Sequence, residues 1–251
     1  METAVEKAKE MRRRGKDIRH RQGKMWLVEA QACKALANVF QTFERLVEAV
    51  RAANEAVQLA KKATYKPIIV EMMLLAVKVN SSLVLQDGAQ VSMRGAEKAV
   101  RPAREAVTVA KATGKRSLVS TCLYQLAEVQ LMSYQLGPAM SSAKEALDKF
   151  REAGDKTGEA GAVILIGETH YAGGKHDKAE ETVKEGIDLA TECGDQRKES
   201  YGRALLQQIQ DSRRAQQEAA MAARPAMVWD AQPRGDQGAK VGERDFSSSF
   251  R

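Results

Sequence analysis

Aromatic residues make up only 5% of this 251-residue chain, and it holds three cysteines, three histidines and five prolines. So few aromatics, without short alternating apolar stretches between regular turn signals, exclude a β-sandwich. Cys33, Cys122 and Cys193 are odd in number, far apart and form no CxxC, which excludes a disulfide framework. They fit a reducing compartment, cytoplasmic or another intracellular one, with each cysteine a small buried hydrophobe in a helix. Long apolar runs are also missing. The most apolar stretch, 68–85, is interrupted by Glu71, Lys78, Asn80 and two serines, so it reads as a buried helix and not a membrane span. The N-terminal residues are charged and lack an apolar core, against a secretory signal, and Glu2, Glu6 and Glu10 speak against a transit peptide.

The usual carriers of catalysis are sparse as well. No HExxH, no P-loop and no GxGxxG after a strand occurs. His20 stands alone, and Glu168, His170 and His176 lack the i, i+4 spacing that would bring two imidazoles to one metal. Cys122 and Cys193 have no histidine nearby in sequence to activate a thiolate. No catalytic residue, metal or cofactor is expected, and the chain reads as a non-enzyme.

What is present is alanine and charge. Charged residues make up 29% of the chain, and alanine recurs throughout. These side chains lose little freedom in a helix, so the chain reads as all-α. The net charge of +7 comes with both signs interspersed, mostly a solvated helix surface. The densest basic run holds Arg12, Arg13, Arg14, Lys16, Arg19, Arg21 and Lys24, a candidate contact patch for an acidic protein or, less favoured, for nucleic-acid phosphates. Few aromatics interleave with it, so base stacking is not indicated.

One phrase recurs: EAVTVAKATG at 105–114, EALDKFREAG at 145–154 and EGIDLATECG at 185–194, each beginning forty residues after the last. A weaker copy, EAVQLAKKAT at 55–64, precedes the first by fifty, so the second unit carries an insertion, placed around Gln86–Gly95. Gly114, Gly154 and Gly194 stand where a helix ends in the left-handed conformation, with Thr64 in that place in the first copy. Pro138 suits a first helical turn, and Asp177 with Glu180 reads as a capping pair. Pro102 should kink or restart its helix. Between the phrases lie further helices of period 3.6, from about Leu118 to Tyr134 and from about Glu159 to Tyr171. A lone helix pair cannot bury its apolar face, so pairs must stack into a solenoid.

The stretch 166–179, continuing through Val183 and Gly186, resembles a tetratricopeptide repeat. The same small-residue pattern returns as Leu36, Ala37, Phe40, Ala49, Ala53 and Ala56, and as Leu126, Ala127, Ala139, Ala143 and Ala146. The period and the GDK and GDQ loops are similar to the longer-looped branch of that family; the HEAT repeat is the other array of similar period. The resemblance implies a right-handed α-solenoid of antiparallel helix pairs over residues 25–223, after a basic helix at 1–24 and before an irregular tail at 224–251. It further implies a concave groove lined by the first helix of each pair. Carried over position by position, the groove residues are Gln31, Lys34, Asn38 and Gln41, then Thr121, Tyr124, Glu128 and Leu131, then Ile164, Glu168 and Tyr171. Lys34 and Asn38 match the first pair of the family's carboxylate clamp, but Gln125 stands where a later basic residue belongs. The expected function is a scaffold or adaptor that holds a peptide or helix of another protein. The alternatives are a structural subunit of a large assembly, organellar included, and a nucleic-acid-associated repeat protein using the basic N-terminus.

Overall fold

The computed structural model of the chain describes residues 5–7, 9–11, 24–86 and 93–222. The basic run from Arg12 to Arg21, the side chain of Lys24, most of the expected insertion and the tail at 224–251 lie outside the described residues. Two compact units are present, Met1–Arg214 and Ala215–Arg251. In the second, the described residues 215–222 are helical and 215–221 exposed. The first unit carries the helical array.

Among the described residues every long element is a helix: α1 (Lys24–Thr42), α2 (Leu46–Ala63), α3 (Lys66–Gln86), α4 (Met93–Lys111), α5 (Arg116–Met132), α6 (Leu136–Ala153), α7 (Lys156–Ala172), α8 (His176–Glu192) and α9 (Gln196–Ala222). Apart from the α3–α4 link, the connections are two to four residues long, short enough to make neighbours antiparallel. From α1 to α8 each helix packs on the next. Odd-numbered helices also bring their backbones close, α1 with α3, α3 with α5 and α5 with α7, while among the described residues even-numbered helices meet through side chains such as Lys61 and Glu105. The odd helices therefore form the crowded inner row of a curved α-solenoid and the even helices the splayed outer row.

The repeated phrase explains this layering. Each outer helix turns a stripe of small residues inward at spacings of three and four. They are Ala49, Ala53, Ala56 and Ala60 on α2, Ala99, Ala103, Ala106 and Ala110 on α4, and Ala139, Ala143 and Ala146 on α6, all essentially buried. A stripe without bulk lets helix axes approach closely. On α8 the stripe is Ala179, Val183, Gly186 and Ala190, and here glycine leaves no room for a side chain. A Cβ on Gly186 would lie 2.6 Å from Ile164 Cγ1 and 3.1 Å from the Ile164 backbone nitrogen. One on Gly167 would meet Val183 Cγ2 at 2.5 Å. Inner helices are wrapped on more sides than outer ones; in α7 every residue from Glu159 to Gly167 is buried. The main core runs through α1 to α7, and a smaller cluster of Ile164, Ala179, Val183, Leu205 and Ile209 joins α7, α8 and α9.

Helix ends follow the expected punctuation with two exceptions. Gly114, Gly154 and Gly194 have φ near +70°, and Thr64 takes the same left-handed place at +59°. The aspartate after two of these glycines starts the next helix: the Asp155 carboxylate accepts from the Gly158 N–H at 2.8 Å, and that of Asp195 from the Lys198 N–H at 3.1 Å. Asp177 does not cap α8. That helix begins one residue earlier, after Lys175, and Asp177 instead faces Arg213 at 3.3 Å. Pro102 neither stops nor restarts α4, which runs unbroken from Met93 to Lys111. Burial of Ala99, Val100, Ala103 and Ala106 on both sides of it holds that helix against α3 and α5.

Candidate functional site

The inner row carries an open groove with a volume of about 570 Å³, lined from four successive inner helices. Its walls come from Val77, Lys78, Ser81 and Ser82 on α3, Gln125, Glu128, Val129, Leu131 and Met132 on α5, Leu165, Glu168, Tyr171 and Ala172 on α7, and Tyr201, Leu205 and Gln208 on α9. These positions are one set repeated. A forty-residue step takes Gln125 to Leu165 and Leu205, and Glu128 to Glu168 and Gln208. The fifty-residue step across the longer unit takes Lys78 to Glu128, Ser81 to Leu131 and Ser82 to Met132. Lys78, Glu128, Glu168 and Gln208 thus form a polar row crossing the array, flanked by apolar walls.

Electrostatically this row is unusual for a helix surface. Burial is the main cause that pushes the Glu128 carboxyl up to about 7; the nearby Glu168 charge raises it further, while a Tyr124 hydrogen bond and Lys78 oppose. Burial likewise raises Glu168 above the usual carboxylate range, opposed by the Tyr201 hydroxyl, which donates to its Oε2 at 2.8 Å. Tyr124 and Tyr201 are themselves pushed above the ordinary phenol value, by burial first and then by the carboxylates. Gln125 Oε1 is buried beside the groove and accepts no hydrogen bond. A smaller recess of about 60 Å³ next to it is lined by Tyr124, Glu128, Gly161, Ile164, Leu165, Glu168, Lys198 and Tyr201.

Of the residues expected in the groove, Glu128, Leu131, Glu168 and Tyr171 line the main volume, and Tyr124 and Ile164 the small recess. Ile164 is first a core residue, 2% exposed and seated against Gly186. Thr121 lies outside both, its hydroxyl donating to the Ser117 carbonyl at 2.9 Å. None of the four α1 residues lines the groove, although Gln41 touches its wall. Lys34 is paired with Glu71 of α3, the Gln41 amide donates to Ser82 Oγ at 3.0 Å, and Gln31 and Asn38 are exposed. The α3 and α9 walls were missed, yet the period marked them: one more forty-residue step from Leu165 and Glu168 reaches Leu205 and Gln208.

Among the described residues no three His, Cys, Asp or Glu side chains converge as a metal site. Among them, too, no helix is long and apolar enough to cross a membrane. Among the described residues Cys33, Cys122 and Cys193 form no disulfide, and burial pushes the Cys122 thiol up to about 12. A thiol held protonated in this way is a packing residue and not a nucleophile.

Fold and groove together define a helical repeat protein with one continuous inner surface. The family described as "Anaphase-promoting complex subunit 5" matches residues 20–82, 80–133 and 160–213, together well over half of the sequence. The chain belongs to that family. The first and third matches each take in two inner helices and the outer helix between them, and the second takes in the end of α3 with α4 and α5. No curated protein matches the sequence. Solved structures with a similar fold include aspartyl phosphate phosphatase F from Bacillus subtilis, at 19% identity and TM-score 0.61 over 79% of this chain and 52% of that one. A Rap protein complexed with Competence and Sporulation Factor is similar at 18% identity and TM-score 0.60, over 78% and 56%. A STAND protein with a tetratricopeptide repeat sensor from Pyrococcus horikoshii gives 14% identity and TM-score 0.59, over 72% and 27%. The chain therefore spans about half the length of the first two. At these identities the likeness is one of fold.

Proposed function

We propose that this protein is a non-enzymatic interaction scaffold of the longer-looped tetratricopeptide type, and that it holds a segment of another protein in the groove of its inner row. The observation that carries this reading is the groove itself, built from equivalent positions of four successive inner helices. A surface that recurs with the repeat suits a ligand that runs along the array. The groove wall mixes leucine, methionine and tyrosine with a few polar groups, the composition of a recognition surface. The forty-residue period, the small-residue stripes and a structural neighbour named for its tetratricopeptide sensor support the repeat type. The Rap structure, solved with a factor bound, supports partner binding as the use of such an array.

A second reading, a fixed subunit of a larger assembly, is supported by the family's own description as a complex subunit. Affinity capture separates the two, comparing wild type with Met132→Ala/Tyr171→Ala in the groove and with Glu105→Gln/Glu145→Gln on the outer row. Partners lost only in the groove variant, with helicity unchanged and nuclease without effect, are the expected result. Partners lost only in the outer-row variant would favour the assembly reading. Partners lost on nuclease treatment alone would move binding to the basic N-terminal run.

A further inference from the structure

We propose that the groove selects a partner segment carrying arginine next to an aliphatic residue, the guanidinium seated on Glu128 and Glu168 and the aliphatic side chain between Leu131, Met132 and Leu205. This rests on the groove being the binding surface and adds the chemistry of what it takes.

The hydrogen-bond inventory points to a donor-rich ligand. The groove offers two carboxylates on adjacent inner helices and the buried, unpartnered Gln125 Oε1, all acceptors. Its hydroxyl donors are largely committed. Tyr201 donates to Glu168, Ser81 to the Val77 carbonyl and Ser82 to the Lys78 carbonyl. Lys78 is the one cation among the residues lining the main volume; it stands on the neighbouring inner helix α3, exposed, and only partly offsets the burial of Glu128. Buried acceptors without donors are costly, and a guanidinium brings five N–H groups in a planar fork suited to carboxylates. Arginine fits better than lysine because one planar group reaches acceptors on two helices, where an ammonium is a point charge. The apolar walls require an uncharged neighbour in the partner sequence.

Charge complementarity sets a pH signature. Glu128 is faced by Tyr124 on its own helix, Lys78 from α3, Glu168 from α7, and Tyr201 and Lys198 from α9, Lys198 being paired with Asp195 at 2.7 Å. With its carboxyl titrating near 7 in the empty groove, a guanidinium binds the ionised form, so binding expels a proton and strengthens as pH rises through 7.

The test is selection of a random short-peptide display library on the intact protein, with selected peptides resynthesised and titrated by fluorescence anisotropy. Expected are peptides enriched in arginine beside leucine, isoleucine or methionine. They bind Glu128→Gln/Glu168→Gln about tenfold or more weaker, and they lose affinity below pH 7. Met132→Trp, which fills the groove, abolishes their binding. Peptides blocked by Met132→Trp but without arginine enrichment, or indifferent to the Glu→Gln pair, would overturn this inference and leave the groove reading standing. Peptides that ignore Met132→Trp altogether would overturn both. Circular dichroism and melting of each variant establish that it is folded; both glutamine changes remove only charge, so they keep the shape of the groove.

Discussion

The outer and inner rows of the array use the same residue types to opposite ends. On the outer row, the glutamates that open the phrases at 105 and 145 each take an ion pair from the preceding outer helix. Lys61 Nζ meets Glu105 at 2.7 Å and Lys111 Nζ meets Glu145 at 2.8 Å. The lysine stands six residues after the phrase glutamate of its own helix, so the repeat carries both halves of the ladder. Arg151, the next rung, turns instead to Glu159 at 2.8 Å. On the inner row, among the described residues, no cation is in contact with the carboxylates of Glu128 and Glu168; tyrosine hydroxyls serve them and burial penalises them. Pairing that repeats with the period joins unit to unit, whereas polar groups held short of full pairing are kept for something else. The same contrast recurs within the inner row, where Glu159 at the start of α7 is paired with Arg151 and Lys156 while Glu128 is buried beside Tyr124.

Four changes would break or sharpen it. The largest effect is expected where the rows meet. Gly186→Val pushes a branched side chain into Ile164 Cγ1 and its backbone nitrogen, and should cost about 2–3 kcal/mol in urea unfolding. A loss under about 0.5 kcal/mol would mean α7 and α8 do not approach so closely. Next, Glu128→Gln should stabilise. The folded-state carboxyl titrates at about 7, above its ordinary 4.5, so the folded chain holds a proton that the unfolded chain releases between those values. Stability therefore falls as pH rises from 4.5 through 7, and glutamine removes the loss, on the order of 1–2 kcal/mol at pH 8 and nothing below pH 4.5.

Glu159→Gln should act with the opposite sign. Hydrogen bonds from Arg151 and Lys156 hold that carboxyl below its ordinary range. Its stabilisation is present above the unfolded value of 4.5 and is lost as pH falls through the folded value. Both cations are solvent-exposed, which limits the loss to about 1 kcal/mol at pH 7. Melting curves of the two variants over the same pH series would show crossed trends, and parallel trends would remove the distinction between a cation-paired and a buried carboxylate. The smallest effect is expected from Glu145→Gln, which breaks one exposed rung of the outer ladder and should shift unfolding by less than about 0.5 kcal/mol. A larger shift would make the ladder a main support of the array.

Much of the architecture is legible in the sequence. The phrase glycines end helices because only a residue without Cβ takes φ near +70° at no cost, a local steric fact. Asp155 and Asp195 read as loop residues, although an aspartate right after such a glycine is placed to cap the next helix. Asp177 misleads because two residues separated by three also occur inside a first turn. Pro102 does not restart its helix because packing on α3 and α5 outweighs one lost backbone bond. In the groove, small-residue spacing reveals α5 and α7, while α3 is hidden by its fifty-residue offset and α9 by the end of the phrase.

By itself the sequence determined the period, the helix ends and the small-residue stripes, since each depends on contacts within a turn or on strict recurrence. Only the tertiary structure decided which polar residues are committed and which face the groove. Lys34 is spent on Glu71, Arg151 on Glu159 and the Tyr201 hydroxyl on Glu168. Those partners lie 37, 8 and 33 residues away. Whether such groups meet depends on how tightly the inner row is wound, a property of stacked helices that no single repeat contains.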